Sequence, residues 1–62
     1  MENFYVVTVW FKNGTVRTYT GLMYYMGGEK APGYYKLEKL KQILYGMLQE
    51  GIVKNVIVDY ES

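Results

Sequence analysis

Apolar and polar positions along this chain follow two periods in turn. A period near two over residues 4–12 ends at Asn13 and Gly14, and a helical period takes over across residues 35–50. The first stretch, FYVVTVWF at residues 4–11, holds one hydroxyl, Thr8, among apolar and aromatic side chains. A short β-branched and aromatic run closed by a turn pair predicts a strand buried on both faces, at the centre of a sheet. Alternation puts Tyr5, Val7, Val9 and Phe11 on one face, and Phe4, Val6, Thr8, Trp10 and Lys12 on the other. Asn13 and Gly14 predict a two-residue type I′ hairpin turn, which demands positive φ at both central positions. The second strand, TVRTYT at residues 15–20, then pairs Arg17 with Trp10, Thr18 with Val9 and Tyr19 with Thr8. On that register Val16 joins the Phe11 face, while Arg17 and Tyr19 join the Trp10 face.

Residues 21–33, GLMYYMGGEKAPG, break the pattern. Residues 22–26 fit either an extension of the second strand past a bulge at Gly21 or a single helical turn. Gly27 with Gly28, and Pro32 with Gly33, punctuate any longer element. The segment carries Met23, Tyr24, Tyr25 and Met26, with Tyr34 and Tyr35 just beyond. Apolar side chains in a glycine-rich connection either fold back on the domain or meet a partner.

Leu37, Leu40, Ile43, Leu44, Met47 and Leu48 recur at intervals of three and four. They form one helical stripe about 140° wide, with Lys39, Gln42, Gly46 and Gln49 opposite. Gly51 fits a left-handed cap at the helix end. No Ser, Thr, Asp or Asn caps the other end, which leaves the start anywhere in residues 34–37. Gly46 reads as a tolerated exposed glycine rather than a point of close backbone approach. The last run, VKNVIVDY at residues 53–60, alternates again, with Val56, Val58 and Tyr60 on one face and Asn55, Ile57 and Asp59 on the other.

The expected fold is therefore a single α+β domain over residues 1–62, ordered β-β-α-β, with a frayed start at residues 1–3. A right-handed crossover places the first strand in the middle of a three-stranded antiparallel sheet of order 2-1-3, with one helix packed on one face. The expected core is Tyr5, Val7, Val9, Phe11, Val16, Val56 and Val58 against the leucine stripe. The opposite face then shows Phe4, Val6, Thr8, Trp10, Arg17, Tyr19 and Ile57. Burying such a face is worth several kcal/mol, comparable with the whole stability of a small domain, so something is expected to cover it. The candidates are the loop of Met23, Tyr24, Tyr25 and Met26, a second copy of the chain, or a foreign ligand. Trp10 beside Arg17 would also make a cross-strand cation–π pair.

Composition narrows the function. A chain of 62 residues buries only ~60% of its unfolded surface and usually needs a disulfide, a metal or a partner. There is no cysteine and no histidine, and the six carboxylates are scattered without calcium-loop spacing. No metal and no cofactor are expected, and self-association remains as the stabilising device. No run of apolar residues approaches the length of a membrane span, no leader pattern is present, and the cysteine-free composition fits a cytoplasmic protein. Without histidine or cysteine the common general bases and thiol nucleophiles are missing, and Ser62 is the only serine. The glycines near Glu29 and Lys30 lack phosphate-loop spacing. An enzyme is not expected.

Eight tyrosines, with Trp10 and two phenylalanines, are the unusual feature. Tyrosine gives large contact area at low conformational cost. The chain is accordingly expected to be a protein–protein interaction module, a homodimer and an inhibitor or adaptor for a larger host protein. Its interface would comprise Phe4, Val6, Trp10, Arg17, Tyr19, Met23, Tyr24, Tyr25, Met26, Tyr34 and Tyr35. The order of a hairpin, a helix and a last strand resembles the small phage inhibitors of uracil-DNA glycosylase. That resemblance is one of topology, and it implies a dimeric inhibitor; the small size and the missing catalytic groups suit an accessory protein of a phage or mobile element. Those inhibitors are acidic, whereas the formal net charge here is +1. The alternative is a single-stranded nucleic-acid module that stacks bases on Trp10 and Tyr19, with Lys30, Lys36, Lys39 and Lys41 near the helix start. A near-neutral chain gives that reading a weak electrostatic footprint.

Overall fold

The computed structural model describes residues 3–62. Two strands, β1 (Phe4–Phe11) and β2 (Val16–Leu22), are followed by helix α1 (Pro32–Gln49) and strand β3 (Val53–Glu61). The sheet has the order β2-β1-β3 and both pairings are antiparallel. The fold is the small α+β, β-β-α-β arrangement that the two periods predict.

The most apolar strand is central because the helix covers one of its faces. Tyr5, Val7 and Val9 are buried there with Met23, Leu37, Leu44 and Val53. Phe11, Tyr19, Leu40, Met47, Val56 and Val58 pack around them. A register shift between Trp10 and Phe11 brings Val53 opposite Phe11, which is how the first residue of β3 enters the core at 1% exposure.

The hairpin departs from the expected type I′ turn, and the departure matters. The Phe11 amide donates to the Thr15 carbonyl at 2.8 Å, and the Gly14 amide donates to the Phe11 carbonyl at 3.1 Å. Gly14 takes φ 90°, while no described residue other than glycine has positive φ, Asn13 included. The turn is thus a three-residue loop, type I with a left-handed glycine, and Asn13 serves by accepting the Thr15 amide on its side-chain oxygen at 2.9 Å. One extra loop residue slides β2 by one position, so Val16 faces Trp10, Arg17 faces Val9 and Tyr19 faces Val7. Every side chain of β2 therefore changes face relative to the two-residue register. Val16 leaves the expected core and is 53% exposed.

The helix begins earlier than its leucine stripe. Ala31 is the capping residue, Pro32 fills the first turn, and no side chain caps the end. Proline suits that place because its missing N–H would have no partner there anyway. At the other end the Gly51 amide donates to the Leu48 carbonyl and the Ile52 amide to the Met47 carbonyl. With Gly51 at φ 80°, these are the paired bonds of a Schellman cap. Of the expected stripe, Leu37 and Leu44 are buried and Leu40 and Met47 half-buried, but Ile43 and Leu48 stay exposed. Nothing lies within 4 Å of a side chain built at Gly46.

Residues 21–33 are more regular than either expected form. β2 runs on to Leu22, and a bridge pairs Tyr24 with Lys30. The Tyr25 amide donates to the Glu29 carbonyl and the Gly28 amide to the Tyr25 carbonyl, repeating the β1–β2 turn with Gly28 at φ 83°. Of the expected frayed start, Met1 and Glu2 lie outside the described residues. The Asn3 carbonyl accepts from the Met23 amide at 2.6 Å, which ties the third residue to this loop.

Candidate interaction surface

Two surfaces emerge, one on each side of the sheet. The face away from the helix carries Phe4, Val6, Thr8 and Trp10 from β1. By register it also carries Val16, Thr18, Thr20 and Leu22 from β2, and Asn55, Ile57, Asp59 and Glu61 from β3. No described element crosses it. Phe4 is 44% exposed, Val16 53% and Ile57 43%, while Val6, Trp10 and Leu22 are half-buried by their neighbours within the sheet. This apolar run has Thr8, Thr18 and Thr20 between its members and two carboxylates, Asp59 and Glu61, along the β3 rim.

The structure divides the residues that the sequence pattern groups together. Phe4, Val6 and Trp10 share the open face. Arg17 and Tyr19 do not; they lie on the helix side and line a shallow cleft of about 270 Å³ with Phe11, Asn13 and Thr15. Since the register puts them across the sheet from Trp10, the expected Trp10–Arg17 cation–π pair and the Trp10–Tyr19 stacking platform are not formed. The cause is the single extra residue in the turn.

The loop does not cover the open face either. Met23 turns into the core at 4% exposure, next to Ala31 at 1%. Tyr24 and Tyr34 meet edge to face at 5.6 Å between centroids, and Tyr34 meets Tyr35 in the same way at 5.4 Å. The Lys30 ammonium stands 4.3 Å from the Tyr34 centroid and 6.0 Å from that of Tyr35. Tyr25 and Met26 form the loop tip, exposed at 47% and 101%. Tyr24, Tyr34 and Tyr35 thus make one cluster at the loop end of the helix, and the first two help wall a cleft of about 400 Å³ lined by Met23, Tyr24, Tyr34, Leu37, Glu38 and Tyr60.

Some surface residues escaped the sequence reading. Val16 and Leu22 belong to the open face but were hidden by the register. The triplet Lys12, Asn13 and Gly14, with glycine at its third place, is also the signature of a three-residue loop and was the signal to follow. Glu38 and Tyr60 in the cleft come from elements distant in sequence, and no spacing rule links them.

Among the described residues, no group of acidic side chains could hold a metal ion, and no helix is long and apolar enough to cross a membrane. Comparison with protein-family models, curated proteins and solved structures finds no match.

Proposed function

We propose that this chain is a non-enzymatic protein–protein interaction module that self-associates through the open face of its sheet. As an adaptor or inhibitor it would also meet a larger protein through its tyrosine- and methionine-bearing loop. The supporting observation is that Phe4, Val16 and Ile57 lie on one uncovered sheet face, each with over two-fifths of its surface in water. Exposed apolar patches on a small protein mark interaction sites. A second copy suits the face because it carries apolar residues and threonines and is available on every chain, as an isologous contact requires. Stacked sheets pack about 10 Å apart with interleaved side chains, which Trp10 and Phe4 are large enough to supply. The cytoplasm is the proposed location, because the chain contains no cysteine and needs no oxidising compartment.

Charge favours a protein partner over nucleic acid. At the paired positions of the open face the charged residues are the carboxylates Asp59 and Glu61, and with Arg17 on the other side none of those positions offers a cation to phosphate. Cross-linking of Trp10→Ala tests the proposal. The variant is expected to lose the dimer that wild type forms at micromolar concentration while keeping its far-ultraviolet dichroism. A dimer of undiminished yield would place the contact elsewhere.

A further inference from the structure

The cleft at the loop end of the helix has a chemistry separate from that of the open face. Tyr24, Tyr34 and Tyr60 supply phenol rings and Glu38 the sole carboxylate, and none of the lining residues is basic. Met23 and Leu37, at 4% and 2% exposure, form its depth. Tyr34 meets its neighbours edge to face, at 60° to Tyr24 and 77° to Tyr35, so the rings build angled walls instead of a closed stack. Each ring face carries negative charge density, and Glu38 adds a full charge; the complement is a cation. The cluster already holds one: Lys30 Nζ lies 4.3 Å from the Tyr34 centroid. Glu38 has a single partner among the described residues, Lys41 at 3.6 Å, in a half-exposed contact that costs little to share.

The type of cation follows from the balance of ring surface and acceptors on the walls. A primary ammonium or a guanidinium sheds strongly held water on entry and needs acceptors in return. The acceptors here are few, three phenol oxygens and a Glu38 carboxylate already shared with Lys41. A quaternary ammonium spreads its charge over methyl groups and asks only for ring faces, apolar contact and a nearby negative charge. We propose that this cleft binds a quaternary ammonium group, borne by a small molecule such as choline or by a trimethylated lysine side chain.

The test is a titration of the full chain followed by tyrosine ring NMR at constant ionic strength. The probes are choline, its uncharged carbon isostere 3,3-dimethyl-1-butanol, and a short peptide with trimethyl-lysine. Saturable shifts at Tyr24, Tyr34 and Tyr60 are expected with choline, and binding of the isostere at least about fivefold weaker. Glu38→Gln, whose fold is checked by its amide spectrum, is expected to weaken choline severalfold and leave the isostere unchanged. Whether choline or the peptide binds more tightly identifies the carrier, and either order supports the site. Equal binding of choline and isostere, indifference to Glu38→Gln, or no saturable shift at these rings would overturn it.

Discussion

Replacing Ile57 by threonine keeps the β-branch that suits a strand and changes only what the side chain presents to the open face. Ile57 pairs with Thr8 across β1 and β3 and is 43% exposed in the single chain. The monomer should therefore lose little, within about 1 kcal/mol, because exposed strand positions respond weakly. Within a face-to-face dimer the same change removes apolar carbon worth ~0.8 kcal/mol per methylene and buries a hydroxyl at a further cost of ~1 kcal/mol, so about 2 kcal/mol per copy. A two-fold axis brings both copies of Ile57 into the contact, which doubles the loss to ~4 kcal/mol, close to a thousandfold in dissociation constant. The assay is a dilution series read by Trp10 emission, since Trp10 shares the face, with urea unfolding of the dissociated chain as the check on folding. Ile43→Thr is the control: this residue is 55% exposed on the helix, so the same chemical change there should leave the dissociation midpoint in place. A midpoint equally unmoved by Ile57→Thr, with a sound fold, would refute the sheet-face contact.

Further outcomes follow from the packing and the turns. Gly33→Ala should destabilise by ~1–3 kcal/mol despite the better helix propensity of alanine, because the new methyl would press on the Leu22 carbonyl, with its carbon only 2.9 Å away; thermal denaturation reads this. Gly46→Ala should move the other way, by up to ~1 kcal/mol, since nothing lies within 4 Å of the added carbon. Gly14→Ala should cost ~1–2 kcal/mol through backbone strain alone, as φ is 90° and the space around it is open. The register makes Tyr19→Ala destabilising to the monomer and Val16→Ala nearly neutral to it. Urea midpoints in the reverse order would restore the two-residue turn.

The sequence disclosed the architecture because its strongest signals were unopposed. The apolar run at Phe4–Phe11 could only be central, the leucine spacing of α1 could only be helical, and Gly51 ended that helix where the Schellman bonds now stand. The faces were harder, because in a hairpin they depend on the parity of one turn. Asn13 and Gly14 fit a two-residue loop and a three-residue loop alike, and the chain takes the second, in which only the glycine needs positive φ. That single choice moved Arg17 and Tyr19 off the surface assigned to them and put Val16 on it. Pro32 as the opening of the helix was legible but was masked by the glycine after it. The tyrosine cleft was not legible, since Tyr24, Glu38 and Tyr60 meet only when the loop, the helix and the last strand are in place.

Sedimentation equilibrium of the unmodified chain reads the self-association itself. A dimer through the open face should give a mass near twice 7.3 kDa at micromolar concentration, falling toward the single-chain value on dilution as the Trp10 emission shifts to the red. A mass of one chain throughout that range, with Trp10 equally exposed to quencher at every concentration, would contradict it.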